Sequence, residues 1–151
     1  MTIRVVLDKV VTKEGGLSIT SPVNLSIKKA WKYMPRQNVA LPELPAFMNS
    51  WTALPVDFGI SGLRALNYRV HIQLLVAKAT VEDDRSADIA TAFWEKMRDA
   101  FDADLTLGDT VTLAVLRGGD PTLVVIERAK ESFIGLNAYL DVEIKQSFAF
   151  S

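Results

Sequence analysis

A single histidine, His71, and the absence of cysteine bound the chemistry open to this 151-residue chain. A hydroxyl nucleophile with a histidine base would have to use His71, which sits in Arg69-Val70-His71-Ile72-Gln73, an alternating run that suits a strand. That setting points to a structural or surface role. Without cysteine there are no disulfides, thiolate nucleophiles or thiolate metal sites, and one imidazole does not make the usual zinc or non-haem iron centre. The acidic cluster Glu82-Asp83-Asp84 lacks the spacing of a calcium loop and reads better as negative charge at the start of a helix. Gly59-Ile60-Ser61-Gly62 and Gly118-Gly119-Asp120 extend to neither a P-loop nor a dinucleotide fingerprint, so both read as turns. No pair of carboxylates stands out for glycoside chemistry, because Asp141 and Glu143 occupy alternate, outward positions of a strand-like run. The expectation is a protein that is not an enzyme, with no catalytic, cofactor-binding or metal-binding residues.

Contact residues are easier to find than reactive ones. Trp31, Trp51 and Trp94, with Phe47 and Phe58, could serve core or interface; Trp94 lies beside an apolar helix stripe, and Trp51 and Phe58 flank a proline-containing turn as interface candidates. Pro42 and Pro45 have the spacing of a proline-rich ligand. They abut the strand-like AFMNSWTAL, however, and each biases its preceding residue to extended backbone, so the segment reads as a stiff entry into a strand.

Charge is nearly balanced, 17 basic against 18 acidic residues, which gives no footprint for sequence-specific nucleic-acid binding. It is unevenly placed. Through Arg36 there are seven basic and two acidic residues, so a basic arm (1–36), with Lys28, Lys29 and Arg36 near its end, precedes an acidic body (37–151) within one domain. No apolar run reaches the roughly 18 residues of a membrane helix, and the start MTIRVVLDKVV lacks signal-peptide features, so a soluble, unsecreted protein is expected.

The elements that must position these residues follow from periodicity. Ile3, Val6, Leu7, Val10 and Val11 form a helical stripe, although Val5-Val6-Leu7 also suits a strand, and Glu14-Gly15-Gly16 ends the element. Residues 25–33 read as a short strand and 46–54 as another. Tyr68, Val70, Ile72, Leu74 and Val76 alternate with Arg69, His71, Gln73, Leu75 and Ala77, which predicts a strand with one wetter face. Ile89, Phe93, Met97 and Phe101 recur every fourth residue and predict a helix over 86–103. Leu113, Val115 and Leu123–Ile126 bracket the turn composition Arg117–Pro121 and suggest a hairpin. Leu136 to Phe150 alternates over the longest stretch, with a polar face for water or a partner. The fold class is α+β: a mainly antiparallel sheet of four or more strands, one helix near 86–103 and a second at the N-terminus.

In order and style, LPELPAF (41–47), LRALNYRVHIQLLVAK (63–78), ADIATAFWEKMRDAF (87–101) and IGLNAYLDVEIKQSF (134–148) resemble tail terminator and related tail-completion (neck) proteins of long-tailed bacteriophages. Residues 27–150 carry the resemblance. It implies a structural virion subunit that closes into a hexameric ring at the head-proximal end of the tail tube. Its partners would be itself, the tail tube protein and a head-completion or connector protein, with DNA passing through the ring. Lys28, Lys29, Arg36, Trp51, Phe58, Arg64 and Arg117 are the interface candidates. The competing readings are a head-closure subunit of the same neck and a small-molecule-binding α+β domain using the space between helix 86–103 and the sheet, near Trp94 and Tyr68.

Overall fold

A computed structural model describes residues 3–35, 44–54, 57–58, 63–78, 84–117, 123–128 and 131–147. The chain runs α1 (Ile3–Gly15), β1 (Ser18–Ile19), β2 (Leu25–Ser26), β3 (Lys29–Trp31), β4 (Ala46–Ala53), β5 (Asp57–Phe58), β6 (Leu63–Lys78), α2 (Asp84–Asp102), β7 (Leu113–Arg117), β8 (Leu123–Arg128) and β9 (Glu131–Ser147). The architecture is α+β. Seven strands form one sheet in the order β3-β4-β6-β9-β7, with β5 also on β6 and β8 also on β9, while β1 and β2 make a separate antiparallel ribbon. Every pairing in the large sheet is antiparallel except β3 with β4, which is parallel over Lys29↔Ala46 to Trp31↔Met48.

β6 and β9 form the spine. They pair from Leu63↔Ser147 to Lys78↔Phe133, and one bulge between Leu75 and Ala77 turns both Val76 and Ala77 toward the main core. Strand alternation then sorts the faces. Val70, Ile72 and Leu74 of β6 and Leu136, Ala138, Leu140, Val142 and Ile144 of β9 are buried on the face that receives both helices. α1 contributes Val6, Leu7 and Val10, all 0% exposed, so its apolar stripe is helical and packed. The basic N-terminal segment thus belongs to the same core as the rest of the chain. From α2 come Ile89, Phe93, Met97 and Phe101, the four-residue repeat expected of a core-facing helix.

The opposite face is mostly polar but closes at one end around Met48, Leu75 and Phe133, with Trp31 and Leu44 packed against them. Leu75 is therefore an apolar member of the face expected to be wet. Pro45 leads directly into β4, and its carbonyl accepts the Lys28 N–H at 2.9 Å, which ties the entry segment to the chain before β3. Pro42 lies outside the described residues.

Two expectations need correction. The stretch 25–33 is not one strand: β2 pairs with β1, whereas β3 joins the large sheet. Nor do β7 and β8 form a hairpin with each other. Both pair with β9, β7 opposite residues 139–143 and β8 opposite residues 131–136, so they follow one another along the same side of that strand. A 17-residue β9 is long enough to template two short strands, and this outweighs the local turn composition of 117–121. The hairpin in this region joins β8 to β9, closing at Arg128↔Glu131.

Candidate interaction surfaces

The register places a grid of polar side chains on the uncovered sheet face. Across β4, β6, β9 and β7 one row reads Ser50, His71, Tyr139, Arg117, and the next reads Thr52, Arg69, Asp141, Val115. Asp141 organises the second row. Arg69 donates to it in two-point fashion, Nε to Oδ1 at 2.8 Å and Nη2 to Oδ2 at 3.1 Å, and Arg117 Nε approaches Oδ2 at 3.3 Å. The planar fork of arginine suits a carboxylate opposite it on the neighbouring strand.

Rings link this network to the row above. The Arg69 guanidinium lies 5.3 Å from the Tyr139 ring centroid, and His71 meets Tyr139 edge to face at 4.9 Å. His71 Nε2 and Thr52 Oγ1 share a hydrogen bond of 3.1 Å. Partial burial, and then the positive charge of Arg69, push the His71 imidazole below its ordinary value, with Asp141 opposing. A shallow depression of about 360 Å³ opens beside this row, bordered by Met34, Ser50, Thr52, His71, Gln73 and Tyr139. Among the described residues the His71 ring is held by the Thr52 hydroxyl and the Tyr139 ring, with no carboxylate hydrogen-bonded to the imidazole to orient it. Among the described residues no three acidic or histidine side chains converge on a metal-sized site.

The two sheet edges differ from each other. At the β3 edge, Lys28 and Lys29 are exposed, Lys29 Nζ lies 5.1 Å from the Trp31 ring, and Tyr33 (48%) and Met34 (37%) leave apolar surface in water. At the β7 edge, Leu113 (40%) and Leu105 (43%) are exposed, and the Leu105 carbonyl takes the Ala114 N–H at 2.7 Å, so the loop after α2 covers part of that strand's free side.

The sequence-derived contact residues are therefore spread over the sheet. Lys28 and Lys29 occupy one edge. Arg117 stands near the other, its side chain 68% exposed despite the Asp141 contact. Trp51 is 42% exposed and stacks edge to face on Tyr68 at 5.9 Å, on the helix-bearing side of β4. For Phe58 and Arg64 the backbone positions are described, paired with each other between β5 and β6. Arg36 and the acids Glu82 and Asp83 lie outside the described residues, as do Gly59–Gly62 and Gly118–Pro121. Sequence reasoning missed Thr52, Arg69, Tyr139 and Asp141 as a connected group, because their meeting depends on the β4–β6–β9 register.

Between α2 and the sheet, Phe93, Met97 and Phe101 are at most 1% exposed and pack in one cluster with Val70, Ile72 and Leu140, so that space is filled by side chains. Trp94 is half-buried beside it, as its position next to the apolar stripe suggested. The loop following α2 adds one local ion pair. Asp104 accepts from the Gly108 N–H at 2.9 Å and from Lys13 Nζ at 3.2 Å, and these hold its carboxyl below the ordinary range, the glycine N–H contributing most. No helix of the described residues is long and apolar enough to cross a membrane. No protein-family model matches the chain, and no curated protein matches it either.

Proposed function

We propose that this chain is a structural virion subunit, a tail terminator that assembles into a hexameric ring at the head-proximal end of a phage tail tube and joins it to head-completion proteins. The observation that carries the reading is the pair of unlike sheet edges, each with apolar side chains left in water: Tyr33 and Met34 beside Lys28 and Lys29 at one, Leu105 and Leu113 at the other. A closed ring of identical subunits needs two different, mutually complementary patches on each subunit, and edges of unlike composition meet that need. The polar face between them, with Arg117 and Asp141 at its β7 side, offers a surface for tube or head partners. The sequence resemblance to tail-completion proteins supplies the biological setting.

The test is charge reversal at the β3 edge. Lys28→Glu with Lys29→Glu should leave the fold intact, because both residues are exposed, and should lower the fraction of assembled species in sedimentation at low salt. An unchanged size distribution at every salt concentration would remove this edge from the interface.

A further inference from the structure

Glu14 Oε2 and Asn49 Oδ1 are buried and have no hydrogen-bond partner. They belong to side chains that are already joined, since Asn49 Nδ2 donates to Glu14 Oε1 at 2.6 Å. The other hydrogen of that amide goes to the Trp31 carbonyl at 2.9 Å. Both residues are 0% exposed, so bulk water does not reach the two remaining oxygens. A carboxylate carries acceptors only, and Asn49 Oδ1 is itself an acceptor; within the pair, only the neutral acid form of Glu14 supplies the missing donor. We propose that a proton on Glu14 Oε2, donated to Asn49 Oδ1, completes this pair and makes it a proton-operated latch between the last turn of α1 and the middle of β4.

Among the described residues, the surroundings supply no rival counter-charge. On α1 itself, Lys13 is engaged by Asp104 and Asp8 by Lys32, while Arg4 and Lys9 are exposed. From β3 and the residues after it, Lys29 lies over Trp31 and Lys32 holds Asp8. On α2, Arg85, Asp88, Glu95, Lys96, Arg98, Asp99 and Asp102 all face solvent. Burial pushes the Glu14 carboxyl up to about 8, with the Asn49 bond opposing that rise.

Undocking α1 would return Glu14 to water, where it ionises like any carboxyl, so each opening releases a proton. The opening equilibrium therefore rises about tenfold per pH unit between the ordinary carboxyl value and about 8, and is flat on either side. Opening also uncovers Val6, Leu7 and Val10 together, an apolar stripe otherwise at 0% exposure.

Amide hydrogen exchange across α1, corrected for intrinsic rates and followed from about pH 5 to about pH 8, tests the latch. In the native chain the α1 opening constant should climb with pH at nearly the one-proton slope. In the Glu14→Gln variant the new amide donates permanently to Asn49 Oδ1, so the slope should vanish while α1 stays protected. Independently of any variant, the infrared carbonyl band of a protonated carboxyl should be present near pH 6 and lost above about pH 9. Equal slopes in the native protein and the Glu14→Gln variant, or no such band near pH 6, would overturn the proposal.

Discussion

Replacing Phe93 with alanine probes whether the α2–sheet space is packed core or a ligand site. Phe93 is 0% exposed and belongs to the cluster formed by Met97, Phe101, Val70, Ile72 and Leu140. A buried phenylalanine removes roughly 150–250 Å² from water, which at about 25 cal/mol per Å² corresponds to about 4–6 kcal/mol. Large-to-small changes of this kind cost about 3–5 kcal/mol, the spread reflecting how far neighbours relax into the space. The expected loss is thus about 4 kcal/mol, a large share of the roughly 5–15 kcal/mol that stabilises a domain. Urea unfolding followed by tryptophan fluorescence and by circular dichroism reads it directly. The midpoint should fall sharply with the m-value nearly unchanged, whereas the exposed control Glu95→Ala should stay within about 0.5 kcal/mol of the native protein. A loss below about 1 kcal/mol for Phe93→Ala would refute the packed-core reasoning and reopen the small-molecule reading.

Three further outcomes are expected. Because the Glu14 carboxyl is raised in the folded state, its contribution is fully present below about pH 4.5 and is lost as pH climbs to about 8; the unfolding free energy from urea denaturation should fall across that window by an amount on the order of 5 kcal/mol, and Glu14→Gln should flatten the profile. His71 should titrate below its ordinary value of 6.5 in an NMR pH series, so that the imidazole is neutral at about pH 7, and Arg69→Gln should move that titration upward by removing the nearby positive charge. Trp51→Ala should cost the monomer no more than about 1 kcal/mol, since the ring is partly exposed and meets Tyr68 edge to face; a larger effect on sedimentation than on urea unfolding would place Trp51 in a subunit interface.

Much of the scaffold could be read from periodicity alone. The alternation from Tyr68 to Val76 and from Leu136 to Ile144 marks the buried face of β6 and β9, and the fourfold spacing of Ile89, Phe93, Met97 and Phe101 marks the buried face of α2. These signals are strong because each element is long and buries one face throughout. Partner choice was less legible. β7 and β8 lie together in sequence around glycines and a proline, yet both pair with β9, a choice set by the length of a strand further along the chain. The Glu14–Asn49 pair was hidden for a different reason. A glutamate before Gly15-Gly16 looks like a solvated helix end, and its burial depends on α1 docking across β3 and β4. The one sequence signal was Asn49 itself, a lone amide among Phe47, Trp51 and Ala53 at the same parity of β4.

Ring formation is tested most directly by the native mass of the purified chain over a wide range of concentration and salt, with electron microscopy of the largest species. A closed assembly with the mass of a hexamer and a central hole is the expected result. A species of 16.7 kDa alone, at every concentration and salt level, would contradict the account.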